Sequence, residues 1–410
     1  MTCEYAMDWY YYIALAAILS QLVFLFQTYN NYRYALAKYK KTRRWHKVRA
    51  VLIVPCKGLD PNFQKNIASF FNQDYENYLL WFVVADESDP AYEQLCKLKD
   101  QLSQNSKARQ VQVFVAGHTQ SCSQKLHNLL YCYERIGEDV GILAFVDSDV
   151  SVRSDWLSHL VWPLRQAKTG AASGYRWFIP KRNNLASLAL SAVNAKVAQL
   201  LGNTRFNQAW GGSMAIRVDV FRQVGLDKIW PSTLSDDLSL TRAVKKAGLK
   251  IAFVPACLAA SYVSTTWRGL FEFCRRQFLI TRVNVPRVWW FGLFSSLYSV
   301  LGVWAGAGLA LYAAMIGDKR LPVFAFVPIV FFVSQLCRAI LRQRMISKLL
   351  KENLQQMRAA LAADLVAFWL WSLLLLFIII SSAFGRTIRW RGIRYKLLGP
   401  TETVIVSDQS

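Results

Sequence analysis

The sequence predicts an α/β domain built on a mainly parallel sheet, with transmembrane helices on both sides of it. Three observations lead there. Between residues 50 and 264 short apolar runs alternate with helical stretches, the pattern of βαβ units. Long apolar tracts lie before and after that region. Acidic residues recur just past the apolar runs: Asp86 in VVADESDPA, Asp147 and Asp149 in ILAFVDSDV, and Asp236 with Asp237 in PSTLSDDLSL. Ligands of an open parallel sheet bind beyond the carboxyl ends of its strands, so carboxylates at those ends converge on one site.

Along the chain, the first apolar tract covers residues 9–26, close to the roughly 20 residues a bilayer crossing needs. No cation precedes it and no small-residue cleavage site follows, so it reads as an uncleaved anchor. Arg33, Lys38, Lys40, Lys41, Arg43, Arg44, Lys47 and Arg49 follow it, while Glu4 and Asp8 lie upstream, so the next segment is expected in the cytoplasm.

The expected strands are 50–55, 79–85, 112–116, 141–146, 170–175, 212–217 and 250–254, with helices at 61–71, 92–104, 123–134 and 235–248. Residues 265–287 interleave Trp267, Phe271, Phe273 and Phe278 with Arg268, Arg275, Arg276 and Arg282, as in an interfacial amphipathic helix. Apolar tracts at 288–316, 321–336 and 359–384 give two or three further crossings; the middle tract is short and carries Pro322 and Pro328, which suits a re-entrant or kinked segment. The organisation is therefore an anchor (1–30), a basic juxtamembrane segment (31–49), a globular domain (50–264), an interfacial helix (265–287), a membrane region (288–385) and a basic tail (386–410).

Composition narrows the function classes. A chain of 410 residues that is 54% hydrophobic is too apolar to be wholly soluble. Its net charge of +23 sits beside the spans, with Trp289, Trp290 and Trp390 among the cations, which fits anionic headgroups rather than nucleic acid. The eight cysteines form no CxxC pair, so neither a zinc site nor a disulfide framework is expected.

Each acidic cluster has an ordinary explanation as well. Asp147-Ser148-Asp149 can be a solvated turn, yet hard oxygen ligands at a strand end also suit Mg²⁺ or Mn²⁺ on a diphosphate. Asp86 can accept from the N–H of a pyrimidine base, or belong to a helix start with Ser88 and Asp89 before Pro90. Asp236 and Asp237 open a helix and complement its dipole without any chemistry. Lys125 in SQKLHNL can neutralise a diphosphate or simply be solvated, and Gly211-Gly212 permit close backbone approach or a tight strand entry.

The string KGLDPNFQKNIASFFNQDYENYLLWFVVADESDPA resembles the ceramide glucosyltransferases and their bacterial lipid-glycosylating relatives, inverting membrane enzymes of glycosyltransferase families two and twenty-one with a GT-A nucleotide-sugar fold. The similarity runs from about residue 51 to residue 286. It implies a donor site of Lys57, Asp86 or Asp89, Asp147, and Lys125 with Asn128 from the K-x-x-N segment. It further implies a metal held by Asp149 with Asp147, Asp237 as catalytic base, and Asp236 beside it. Gly211 and Gly212 of WGGSMAIR would lie next to the sugar. The family's (Q/R)-x-x-R-W motif appears as Cys274-Arg275-Arg276-Gln277-Phe278, altered at both cations and the tryptophan, so the acceptor side departs from the pattern while donor motifs are intact.

The resemblance implies transfer of a hexose, glucose first, from a UDP-sugar to the hydroxyl of ceramide, diacylglycerol or a hopanoid-type lipid. A processive polysaccharide synthase is the rival enzyme, although those keep Q-x-x-R-W and more membrane helices. The rival from another class is a non-catalytic nucleotide-sugar-binding membrane protein, which loss of Asp237 or of D-x-D would have favoured. Transport is disfavoured because the spans carry little buried charge beyond Asp364.

Overall fold

The computed structural model describes residues 2–41, 43, 48–60, 62–390 and 392–406, with side chains from residue 9 onward. Arg44, Lys47, Pro61 and Arg391, and the side chains of Cys3, Glu4 and Asp8, lie outside the described residues. The chain opens with α1 (Thr2–Tyr39), a single helix that carries the first apolar tract down through Arg33 and Lys38.

The globular domain follows as β1 (Arg49–Pro55), α2 (Phe63–Ala68), β2 (Tyr78–Val84), α3 (Pro90–Leu102), β3 (Gln110–Val115), α4 (Gln124–Tyr133), β4 (Val140–Val146) and α5 (Trp156–Val161). It continues with β5 (Thr169–Pro180), α6 (Leu185–Ala198), β6 (Ser213–Arg217), α7 (Val218–Gln223), α8 (Leu226–Ile229), α9 (Asp236–Lys246) and β7 (Lys250–Val263). Then come α10 (Trp267–Asn284), α11 (Pro286–Val300), α12 (Gly306–Met315), α13 (Leu321–Leu349), α14 (Leu354–Ser381), β8 (Thr387–Trp390), β9 (Ile393–Gly399) and β10 (Glu402–Val406).

Seven strands form one sheet in the order β3-β2-β1-β4-β6-β5-β7. Pairs β2–β3, β1–β2, β1–β4 and β5–β7 are parallel, whereas β6 runs antiparallel to both neighbours. Strands β1, β2 and β4 are apolar on both faces because helices cover both, as parallel sheets require. Leu52, Phe82 and Trp156 pack on one side, and Ile53, Phe145 and Trp230 on the other. Complete burial of such side chains is worth roughly 1.5–3 kcal/mol each.

The mainly parallel α/β sheet and its flanking apolar helices are the predicted fold class. Among the described residues, four helical stretches are long and apolar enough to cross a membrane: Trp9–Tyr39, Pro286–Met315, Leu321–Leu349 and Lys351–Ser381. The third is longer than the sequence suggested. Helix α13 keeps Pro328 inside it, and α12 approaches that ring at Gly306, where an added Cβ would stand 3.2 Å from Pro328 Cδ.

Two elements depart further from expectation. Helix α6 is absent from the sequence prediction; its residues are apolar around most of the helix because it is wedged between β5 and α14. The basic tail is a three-stranded antiparallel sheet, β10-β9-β8, whose Ile388, Tyr395 and Leu397 pack on Leu234, Leu279 and Ile280. Its arginines alternate with those inward residues, and the charge masked a period of two.

Candidate active site

Strands β1, β2 and β4 end on the same edge, and their next residues project Lys57, Asp86, Asp147 and Asp149 into one cavity of about 940 Å³. Val146 of β4 pairs with Ser213 of the antiparallel β6, so Gly211 and Gly212 enter beside Asp147. The Asp147–Asp149 turn is fixed from behind: Ser148 Oγ donates to Asp60 Oδ2 at 2.7 Å, and Asn66 Nδ2 donates to Ser148 O at 3.1 Å.

Helix α4 starts at the same edge, with Ser123 Oγ accepting from Leu126 N as its cap. That start places the Lys125 ammonium 2.7 Å from Asp147 Oδ1, 2.8 Å from Asp236 Oδ2 and 3.3 Å from Gly211 O. Burial alone would lower the Lys125 pKa, but Asp147 and Asp236 outweigh it and hold the group charged, above its ordinary value. Asp236 is buried; burial raises its carboxyl to about 6 despite Lys125, with Asp237 and Asp147 adding to the rise.

Asp237 is held differently. Ser235 caps α9, and Asp237 Oδ1 accepts from Ser235 Oγ at 2.5 Å and Leu238 N at 2.7 Å. Among the described residues its Oδ2 takes only the longer bond from Gly211 N, at 3.2 Å, and the residue faces the cavity. Both glycines are sterically required here. A Cβ on Gly211 would collide with the Asp236 carboxylate, and one on Gly212 with the Trp210 ring.

The remaining predicted residues separate into those that face the cavity freely and those tied elsewhere. Asp86 lines it with half of its side chain exposed; Ser88 lowers its pKa first, and His118 Nε2 lies 3.5 Å away. Asp89 also borders the cavity, but its Oδ1 caps α3 at Ala91 N (2.9 Å) and accepts Gly58 N (2.8 Å), tying down the loop after Lys57. Asn128 lies one turn below Lys125 and accepts from Gln124 Nε2 at 2.8 Å. Arg276, Gln277 and Phe278 of α10 line the cavity. Arg275 does not: it points to the end of α14, donating to Ser381 O at 3.2 Å and Phe384 O at 2.7 Å.

Sequence reasoning missed Arg176 of β5. Its guanidinium lies 3.6 Å from Asp147 Oδ2 and 4.0 Å from Asp149 Oδ2, and 4.7 Å over the Trp210 ring. A cation between apolar neighbours in GYRWF was the available signal. Arg276 stands near enough to be depressed by burial and then by Arg176. Two crowded guanidiniums beside a D-x-D turn suit a polyanionic ligand.

No cluster of three or more His, Cys, Asp or Glu side chains among the described residues forms a metal cage. The donor set still fits Mg²⁺ or Mn²⁺, which bind through one or two carboxylates and complete their shells with substrate phosphate oxygens. Past the carboxylates the same cavity continues between membrane helices, lined by Phe24 of α1, Ser296 of α11, Gln335 of α13 and Leu375 of α14.

The chain matches the family described as Glycosyl transferase family 21 across residues 11–402. Among solved structures it is similar to a mannosyltransferase from Pyrobaculum calidifontis in complex with GDP-Man and Mn²⁺. The identity is 14%, the TM-score 0.42, and the match covers 90% of this chain and 97% of that one. A second is GalNAc-T7 with UDP, GalNAc and Mn²⁺, at 11% identity and TM-score 0.40, over 56% of this chain and 48% of that one.

Proposed function

Because the chain belongs to Glycosyl transferase family 21, we propose that it moves a hexose, glucose first, from a UDP-sugar to the hydroxyl of a membrane lipid. Ceramide, diacylglycerol and hopanoid-type lipids are the acceptor classes. The observation that carries this reading is the continuity of one cavity from Asp86, Asp147 and Asp237 to the membrane helices, which lets a lipid hydroxyl reach a donor held at the strand ends.

Asp237 is the base: its Oδ2 takes the proton as the hydroxyl attacks the anomeric carbon opposite the departing UDP, with inversion. Asp86 accepts from the N–H of the donor's pyrimidine, and Lys57 and Asn128 complete the donor side. Arg176 and Arg276 face the growing charge on the diphosphate, where fixed cations in a sheltered site act strongly. Lys125 locks Asp147 and Asp236 in place, and Gln277 and Phe278 border the acceptor path. A divalent ion on Asp149 and Asp147, when bound, supplies Lewis-acid stabilisation of the leaving diphosphate.

The domain faces the cytoplasm in this reading. Ser232 Oγ donates to Thr401 O at 2.7 Å and the tail sheet packs on α10, so tail and domain share a side. Both ends of α14 also return to that side: Asn353 Nδ2 donates to Tyr262 OH at 2.5 Å, and Trp289 Nε1 to Ser382 Oγ at 2.8 Å. On this reading α11–α12 and α13 cross as a pair, α14, broken by non-helical backbone at Ala367, dips without crossing, and the cations at both ends of the chain obey the positive-inside rule.

The test is incubation of the purified full-length protein with radiolabelled UDP-hexoses and a panel of membrane lipids. One labelled glycolipid carrying a single hexose is expected. A growing polymer would favour the synthase, and tight UDP-sugar binding without any transfer would sink the enzyme reading.

A further inference from the structure

The deep part of the cavity carries cations that sugar transfer does not use. Of the lining residues supplied by α1, α6, α11, α13 and α14, the charged ones are Lys196, Arg338 and Arg342. Arg342 is satisfied: its Nε and Nη2 each meet an Asp364 carboxylate oxygen at 2.6 Å, and Gln199 Oε1 takes its Nη1 at 3.2 Å. Lys196 and Arg338 have no carboxylate within ion-pair distance among the described residues; Lys196 Nζ donates to Ser372 Oγ at 2.9 Å and Arg338 Nε to Thr28 Oγ1 at 3.2 Å.

A cation between membrane helices is costly unless an anion or water accompanies it. Burial, with Arg342 close by, holds the Lys196 pKa well below its ordinary value, as expected of an ammonium lacking its counter-ion. A second observation is independent of charge. Gln21 of α1 is 1% exposed, lines the same cavity, and has no hydrogen-bond partner for either amide atom among the described residues. A buried amide of that kind calls for a polar partner inside the cavity.

We propose that this inner chamber binds one phosphate group, with Lys196 and Arg338 as its cationic ligands and the Gln21 amide as a hydrogen-bond donor. Two cations on separate helices plus an amide line this one chamber and supply several donors, which matches a phosphate with its three or more acceptor oxygens. The site is separate from the donor diphosphate, whose cations are Arg176 and Arg276, and it does not depend on sugar transfer taking place. The phosphate reaches the chamber either on a lipid headgroup or free in solution.

Binding to the full-length protein in detergent, with UDP saturating, separates these sources. The probes are phosphatidic acid, diacylglycerol with the same acyl chains, and inorganic phosphate, read by thermal stabilisation and by native mass spectrometry. Phosphatidic acid is expected to bind at least about tenfold more tightly than diacylglycerol. Lys196→Gln and Arg338→Gln should each erase that preference while keeping UDP affinity, and Arg344→Gln, an exposed cation on the same helix, should retain it. Stabilisation by inorganic phosphate alone, lost in the same variants, would assign the free ion as the source. Equal binding of phosphatidic acid and diacylglycerol with no response to phosphate overturns the site, and the wild-type comparison decides even if a variant fails to fold.

Discussion

The Lys125 ammonium lies 2.8 Å from Asp236 Oδ2, and this pairing gives two adjacent carboxylates different surroundings. Asp236 is buried against a fixed cation, whereas Asp237 turns to the cavity with Oδ2 lightly bound. Asp237→Asn preserves shape and should preserve UDP-sugar affinity, yet transfer should fall on the order of 10²-fold or more for loss of a general base. Asp236→Asn should cost less turnover. Steady-state kinetics on both folded variants check the assignment, and near-wild-type transfer by Asp237→Asn would remove it.

Asp236 also gives a pH dependence with a definite sign. Its carboxyl sits at about 6 in the fold against 3.8 as the reference, so the folded state holds the proton more tightly. Stability from this group is therefore full below pH 4 and falls as pH rises to about 6, by up to about 3 kcal/mol. Thermal unfolding of wild type and Asp236→Asn between pH 4 and 7 should show the two curves diverging in that window. Parallel curves would contradict the burial of a charged Asp236.

Lys125→Met should be the most damaging change near the site, because it strands the buried Asp236 and leaves Asp147 to the more distant Arg176. Breaking a buried pair costs about 3–5 kcal/mol. Protonation of Asp236 relieves part of that, so the loss should be smaller at pH 5 than at pH 8. Lys125→Arg keeps the charge but not the compact three-way contact with Asp147, Asp236 and Gly211. It should recover stability more than turnover.

The Asp147-Ser148-Asp149 turn after β4 carries the prediction of metal dependence. EDTA should abolish transfer, Mn²⁺ or Mg²⁺ should restore it, and Asp149→Ala should lose metal-dependent UDP binding measured by calorimetry. Full transfer after exhaustive chelation would rule the metal out.

The residues legible in the sequence were those whose position alone places them. Asp86, Asp147 and Asp149 follow apolar strands, and Asp237 opens a helix, so one-dimensional spacing puts them at one sheet edge. What stayed hidden depends on phase or on distant partners. Arg275 and Arg276 are neighbours in sequence, but only the rotation of α10 sends one to the cavity and the other to Phe384. Arg176 acquires meaning only when β5 is set beside β6. The tail strands hid beneath their arginines, because alternation is hard to see when the outward residues are so strongly charged.

Membrane topology is the prediction on which orientation and acceptor route both depend. If α14 dips and returns, the loop between α12 and α13 is the one segment after the globular domain that reaches the far side. Lys319 lies there and is exposed; Cys96 sits on α3 and Glu402 is exposed on β10, the latter in the sheet that packs on α10. In a Cys3→Ser background, an impermeant thiol reagent on intact cells should label Lys319→Cys, and should reach Cys96 or Glu402→Cys only after permeabilisation. Were Glu402→Cys labelled from outside while Cys96 stayed protected, α14 would be a full crossing, and the tail could not pack on the domain as Ser232 and Thr401 require. Labelling of Cys96 from outside would instead invert the protein and separate the site from the cytoplasmic pool of nucleotide sugars.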